Sequence, residues 1–108
     1  MSEPTDDRPA PETTVTRDDA ESRYEVRLGD VLAGFTEYRV DSRGRYVFHH
    51  TEVDPAFGGR GLATTVVAFA MEDAAARGET VRPTCPVVVK YLRTHEVPGL
   101  EIDWPDRV

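Results

Sequence analysis

Three successive stretches of the chain have the apolar pattern of short strands, with turn residues between them. Residues 22–28 (SRYEVRL) place apolar side chains at every second position, which is the period of a half-buried strand. Residues 31–40 (VLAGFTEYRV) and 46–53 (YVFHHTEV) are rich in β-branched and aromatic residues, and turn-forming residues separate the three stretches. The sequence therefore predicts an antiparallel meander.

The apolar period changes near residue 62. Within residues 62–77 apolar side chains recur three and four positions apart, which is typical of an amphipathic helix, and Gly78 is suited to end it. Residues 79–85 (ETVRPTC) predict a short fourth strand, and Pro86 opens a second helix, since proline is favoured at the first helical position. These elements predict an α+β domain: a mainly antiparallel, mixed sheet of about four strands. One main helix and a shorter second helix accompany that sheet.

The start of the chain has a different composition. Residues 1–21 contain three prolines, seven acidic residues, two arginines and no aromatic residue, so they have too little apolar surface to fold on their own. We expect residues 1–21 to form a disordered acidic tail. Residues 22–108 are then one domain, because a chain of 108 residues supports a single modest core.

Charge and hydropathy limit the classes of partner. The formal net charge of -7 argues against binding to nucleic acid or to an anionic membrane, because both need clustered Lys and Arg. No apolar run reaches the length of a membrane span, and the acidic N-terminus lacks the apolar segment of a signal peptide. We therefore expect a cytoplasmic protein. Twelve arginines against one lysine are typical of a G+C-rich bacterial genome.

The stretch VDPAFGGRGLATT, residues 53–65, sets three glycines and an arginine between the third strand and the main helix. At such a junction the N–H groups of the first helical turn are unpaired, and glycines let an anion such as phosphate approach them. Arg60 adds a cation suited to phosphate, although a plain turn with a solvated arginine is the alternative. A P-loop is excluded because no lysine precedes Thr64 or Thr65, and the G-x-G-x-x-G spacing of a dinucleotide loop is missing.

Together with HTEV (residues 50–53) and PTCP (residues 83–86), this loop resembles the acetyl-CoA pyrophosphate loop of the GNAT superfamily of N-acetyltransferases. The combination is most similar to the small YjdJ-type branch, and the resemblance covers residues 23 to about 97. It implies a GNAT-like fold, acetyl-CoA or CoA as cofactor, and an amine acceptor. The residues implied to contact the cofactor are Val53, Gly58, Gly59, Arg60, Gly61, Leu62, Ala63, Thr64, Cys85 and Tyr91. The superfamily has Arg or Gln where this chain has Gly58, so Arg60 is the candidate substitute.

Three residues are candidates for catalysis. Cys85 precedes Pro86 and is therefore held extended, as at a helix N-cap, where a thiolate is favoured. The alternative for Cys85 is a small buried hydrophobic residue. His50 and Glu52 share one face of a strand, whereas His49 faces the other side. A neutral histidine can take a proton from an amine, and a nearby carboxylate can orient it or act itself.

The resemblance puts Cys85 near the acyl end of the cofactor, where it protonates the leaving thiolate or carries the acetyl group. We expect no metal site, because His49, His50, Glu52 and His95 have no recognised ligand spacing. The second hypothesis is a non-catalytic CoA-binding or protein-interaction module, since the superfamily's usual helices before the third strand have no room here. The sequence leaves open the acceptor, the role of Cys85, the effect of Gly58 on cofactor affinity and the oligomeric state.

Overall fold

The computed structural model describes residues 12–105 as a six-stranded mixed sheet with two α-helices. The strands lie in chain order across the sheet: β1 (Thr13–Asp18), β2 (Arg23–Leu28), β3 (Val31–Val40), β4 (Tyr46–Val53), β5 (Thr80–Pro83) and β6 (Glu101–Ile102). Helix α1 (Leu62–Arg77) connects β4 to β5, and α2 (Pro86–Thr94) connects β5 to β6. β1 to β4 are antiparallel neighbours, whereas β5 runs parallel to both β4 and β6. The predicted α+β class and both predicted helices are confirmed.

The predicted count of about four strands is wrong. β1 lies inside the segment that we expected to be disordered, and it pairs along its whole length with β2, from Thr13 opposite Leu28 to Asp18 opposite Arg23. The expected boundary at residue 22 therefore does not hold for residues 13–18, and residues 1–11 of the predicted tail lie outside the described residues. β6 was missed because it is only two residues long.

Arg17 attaches β1 to the rest of the molecule. Its side chain is only 10% exposed, and its guanidinium lies 5.2–5.6 Å from the ring centroids of Tyr24, Tyr38 and Tyr46. Arg17 Nη1 also forms a 3.0 Å ion pair with Glu79, in the turn between α1 and β5. Burial opposes the charge, but the hydrogen bonds to Glu79 and neighbouring groups outweigh it and raise the pKa of Arg17. One cation thus links the edge strand to the core and to α1.

The core lies between one face of the sheet and both helices. Its fully buried members include Tyr24, Val26, Phe48, Val66, Val67, Ala70, Met71, Ala74, Val81 and Val88. On β2 the alternate residues Arg23 and Glu25 point to the opposite side, where they form a 2.8 Å ion pair. We call this opposite side of β2, β3 and β4 the open face, because both helices of the described chain pack into the core on the other side.

Asp73 on α1 is expected to make the stability depend on pH. Its carboxylate accepts hydrogen bonds of 2.7 Å each from Tyr24 Oη and Arg77 Nε. Burial alone would raise the pKa of Asp73, but these bonds and nearby arginine charges outweigh it and hold that pKa below its ordinary value. The stabilisation is therefore present above the ordinary pKa of aspartate and is lost as the pH falls through the lowered one.

We expect Asp73→Asn to lower the free energy of unfolding by about 1 kcal/mol near neutral pH and by much less near pH 3. Urea denaturation of both proteins across that range measures the difference. Glu72→Gln, an exposed carboxylate on the same helix, serves as the control and should cost little at either pH. An equal loss for Asp73→Asn at both ends of the range would show that the ionised carboxylate does not matter.

Candidate active site

The chain passes from β4 to α1 through a short, tightly bonded turn. The Asp54 side chain accepts a 2.9 Å hydrogen bond from the Ala56 N–H and begins a single 3-10 turn, Pro55–Phe57. The chain then enters α1 through Gly61, whose φ of 72° lies in the left-handed region. A residue with a Cβ atom would lose about 1–2 kcal/mol there, so glycine is the residue that fits this entry.

The N-terminus of α1 is open. Its N-cap is Gly61, so no side chain caps the helix, and the first turn contains no acidic residue. The first hydrogen bond of the helix runs from the Thr65 N–H to the Gly61 carbonyl at 3.0 Å. The N–H groups of Leu62, Ala63 and Thr64 come before that bond and have no acceptor within the helix. They form the positive end of the helix dipole.

A cavity of about 160 Å³ lies at this helix end. It is lined by Val53, Phe57, Gly58, Gly59, Gly61, Leu62, Ala63 and Thr64. The structure thus brings together seven of the eight loop residues that the sequence analysis proposed, and it adds Phe57. Arg60 does not line the cavity; its guanidinium lies 5.8 Å from the centroid of the Phe57 ring. The ring of Phe57 lines the cavity, and the charge of Arg60 lies within cation–π distance of that ring.

β4 and β5 separate at the level of this site. They pair only from Tyr46 to Phe48, and the Phe48 carbonyl accepts 3.0 Å hydrogen bonds from both the Thr84 and the Cys85 N–H. From residue 49 onward, β4 has no strand partner on its β5 side within the described chain. The backbone N–H and C=O groups of residues 49–53 that point away from β3 are therefore available on this edge for an extended ligand.

A β-bulge on the β3 side sets the direction of the β4 side chains. Glu37 lies opposite His50 and Tyr38 lies opposite Phe48, so His49 is an extra residue without a partner. Both histidines are exposed and lie between two residues that face the core side, Phe48 and Thr51. The prediction that His49 and His50 face opposite sides is wrong, because it assumed regular alternation.

The predicted proximity of His50 and Glu52 is confirmed. His50 Nε2 and Glu52 Oε1 lie 3.1 Å apart on the open face, with side chains 50% and 61% exposed. The ring of Phe35, on the neighbouring strand, lies with its centroid 6.0 Å from that of His50. A carboxylate in contact with an imidazole can hold the ring in one orientation, and both side chains are exposed to a group on the open face.

Cys85 lies on the other side of β4. Its backbone is extended at the N-cap of α2, with φ -76° and ψ 129°, as Pro86 predicts. The thiol is buried, and its S–H donates to Thr51 Oγ1 at 3.5 Å; Thr51 in turn shares a 2.8 Å hydrogen bond with Thr36. The three catalytic candidates therefore form no single cluster: the thiol lies on the core side of β4 and His50 with Glu52 on the open face.

Two further residues complete this region. Tyr91 stacks on His95, with centroids 4.2 Å apart and planes at 8°, and lines a groove of about 290 Å³ between α1 and α2. Thr64 lines both this groove and the cavity at the loop, so Tyr91 borders a surface that continues from the loop. Sequence reasoning missed Thr51. The signal for it was a hydroxyl at the position between His50 and Glu52, which strand alternation turns toward the core.

Comparison with known proteins identifies the family. The family model described as GCN5-related N-acetyl-transferase matches residues 23–98. The chain belongs to this family. The matched region runs from β2 past the end of α2, so it contains β4, the glycine loop and Cys85. Membership of the GNAT superfamily is thereby confirmed, whereas the YjdJ-type branch stays a prediction.

A solved structure shows the same fold. The ribosomal-protein-alanine N-acetyltransferase from Brucella melitensis biovar Abortus 2308 is similar with a TM-score of 0.51 and 19% sequence identity. The similarity covers 80% of this chain and 65% of that one, so the GNAT chain described here spans less than two thirds of that protein. No curated protein matches the chain by sequence.

Residues 12–105 lack a metal cluster and a membrane-spanning helix. No three side chains of His, Cys, Asp or Glu lie close enough together to hold a metal ion. Neither α-helix of this region combines the length and the hydropathy needed to cross a bilayer.

Proposed function

We propose that this GNAT protein transfers the acetyl group of acetyl-CoA to the nitrogen of an amine acceptor. The observation that carries the proposal is the uncapped N-terminus of α1, which opens into a cavity directly beside the unpaired edge of β4. Membership of an N-acetyltransferase family supports it.

The residues present fit CoA. A pyrophosphate is an anion, and the free N–H groups of Leu62, Ala63 and Thr64 with the helix dipole favour an anion at this position. Gly58 and Gly59 leave the approach free of side chains. The edge of β4 at residues 49–53 offers hydrogen-bonding groups to the extended amide arm of the cofactor. When bound, acetyl-CoA supplies a thioester carbonyl that an amine can attack.

Proton transfer is divided between the two sides of β4. On the open face, His50 and Glu52 accept the proton of the acceptor ammonium, and their exposure lets them release it to water. On the core side, Cys85 Sγ holds a proton that Thr51 Oγ1 orients, and we assign it the role of donor to the departing thiolate. The thiol is buried, which favours this role over that of an acyl carrier.

We further propose a cytoplasmic, bacterial setting, with acetyl-CoA and an amine as the partners. The lone cysteine is free, which agrees with a reducing compartment. The net charge of -7 supports an acceptor that is neither nucleic acid nor an anionic membrane surface.

Gly58→Arg tests the cofactor loop by restoring the side chain that the superfamily usually has. Gly58 has φ -63° and ψ 154°, a conformation open to any residue, and an added Cβ would meet only the Pro55 carbonyl, at 3.4 Å. We expect the variant to bind CoA about fivefold more tightly, because an arginine adds a charge-assisted hydrogen bond at a partly exposed site. Calorimetry with CoA, and with pantetheine as a ligand without pyrophosphate, measures the change.

Gly58→Met is the matched control, since it adds length without charge and should not discriminate between the two ligands. If Gly58→Arg changed the affinity for CoA and for pantetheine equally, the proposal that this loop binds the pyrophosphate would be wrong. Thiol release with a panel of amines then tests the reaction. Absence of acetyl-CoA binding would overturn the proposal, and binding without transfer to any amine would favour the non-catalytic module instead.

A further inference from the structure

A separate cavity of about 260 Å³ lies at the end of the open face, where β3 and β4 meet the 3-10 turn. It is lined by Leu32, Ala33, Gly34, Phe35, Glu52, Asp54 and Pro55. None of these residues lines the cavity at the glycine loop or the groove between the helices. The cavity shares Glu52 with the catalytic pair, so a molecule held there would lie beside the proposed proton acceptor.

We propose that this cavity binds the acceptor and selects a primary ammonium group on a short, unbranched apolar stem. The inference rests on the proposed acetyl transfer and names the chemical class of its acceptor. Both charged residues in the lining are carboxylates, Glu52 and Asp54, whereas Leu32, Phe35 and Pro55 provide apolar wall. A cation with an apolar stem satisfies both parts of this lining.

The carboxylates of the cavity lack a cation of their own. Within residues 12–105, neither Glu52 nor Asp54 forms an ion pair with an arginine or lysine, and the partner of Glu52 is His50. Arg23 lies 4.6 Å from the centroid of the Phe35 ring, but it pairs at 2.8 Å with Glu25, as Arg27 does, and neither arginine pairs with a carboxylate of the cavity. The positive charge that the cavity favours is therefore supplied by the ligand.

Asp54 is held in a fixed position. Its N–H donates to the Ala33 carbonyl at 2.8 Å, and its side-chain Oδ1 accepts from the Ala56 N–H at 2.9 Å. The first bond joins the end of β4 to β3, the second fixes the side chain against the 3-10 turn, and the other carboxylate oxygen stays available to a ligand. A preorganised carboxylate binds an ammonium group with little loss of side-chain entropy.

The size of the cavity limits the stem. A volume of about 260 Å³ is below the usual range for drug-sized ligands, so the cavity suits a small amine, and a straight four-carbon stem serves as its probe. A free alkylamine and the side chain of a lysine in a polypeptide share this chemistry. An N-terminal α-amine lacks such a stem, because its nitrogen is attached to a branched carbon that also carries a carbonyl group.

The test compares four acceptors under saturating acetyl-CoA: n-butylamine, methylamine, Nα-acetyl-lysine methylamide, and a short peptide with an N-terminal alanine. Asp54→Asn removes the charge but keeps a side-chain oxygen that can accept the Ala56 N–H. We expect this variant to raise KM for both stem amines about tenfold, with kcat and the Kd of CoA unchanged. Phe35→Ala should raise KM for n-butylamine more than for methylamine. Glu72→Gln on the outer side of α1 is the charge-matched control.

Binding is followed separately from turnover by backbone amide shifts of Leu32, Gly34 and Phe35 upon addition of butylammonium to the CoA complex. Preference for n-butylamine over the lysine derivative, or the reverse, identifies the source of the stem amine. Two results would contradict the proposed acceptor cavity: faster turnover of the alanyl peptide than of the stem amines, or turnover that Asp54→Asn does not change. Either result is compatible with the proposed acetyl transfer. Shifts of these amides that Asp54→Asn abolishes, without turnover of any amine, support the pocket and overturn the transfer.

Discussion

Glu52→Gln is expected to lower kcat for amine acetylation about 100-fold or more while the Kd of acetyl-CoA stays the same. Glutamine keeps the size of the side chain but can neither accept the proton of the ammonium nor stabilise a protonated His50, which lies 3.1 Å away. The side chain is 61% exposed, so its loss should leave the fold stable. Thiol release at saturating acetyl-CoA measures kcat, and calorimetry measures binding.

Glu37→Gln is the matched control for this prediction. Glu37 is the residue of β3 directly opposite His50, so its substitution removes a charge from the same region without touching the catalytic pair. His50→Ala separates the two members: a loss much smaller than that of Glu52→Gln would make Glu52 the base and His50 its positioning residue. Unchanged kcat in both variants would contradict the assignment of proton transfer to the open face.

Arg17→Met should lower the free energy of unfolding by about 3 kcal/mol and Tm by about 15 °C. The variant leaves Glu79, which is 13% exposed, without its cation and removes the guanidinium from the three tyrosine rings. Breaking one side of a buried ion pair costs more than losing the pair, because the remaining charge stays desolvated. Urea denaturation and a thermal scan of the full chain measure both quantities.

Arg39→Met, at an exposed position of β3, controls for the loss of an arginine and should cost less than about 0.5 kcal/mol. Adding Glu79→Gln to Arg17→Met should recover part of the stability, since both charges are then absent. If Arg17→Met cost no more than Arg39→Met, β1 would be held by its backbone pairing alone, and the role of Arg17 as an anchor would be wrong.

The central part of the fold was predictable because local signals agree there. Alternation indicated β2, β-branched and aromatic residues indicated β3 and β4, and the glycines at positions 61 and 78 marked both ends of α1. β1 carried no comparable signal, since TTVTRD contains a single large apolar side chain and belongs to a stretch of disorder-like composition. Its position depends on pairing with β2 and on contacts of Arg17 with distant residues such as Glu79, which no local pattern reveals.

The candidate site was predictable only where it depends on local sequence features. The spacing of glycines before α1 indicated residues that the structure does bring to one cavity, because an uncapped helix start is a local feature. The separation of Cys85 from His50 and Glu52 was not predictable, since it depends on where β5 leaves β4. The cavity beside Glu52 is formed by β3 and the turn after β4, so its prediction required the strand pairing as well.

The unpaired residue His49 reverses the order in which the side chains of β4 alternate between the two faces of the sheet. Before it, even-numbered positions face the helices; after it, odd-numbered positions do. Removing one residue from this point would move the following side chains of β4 to the opposite face. Glu52 would then point toward the apolar core and Thr51 toward water. Which side chains of β4 point away from the helices, Glu52 among them, therefore depends on one inserted residue, whatever side chain that residue carries.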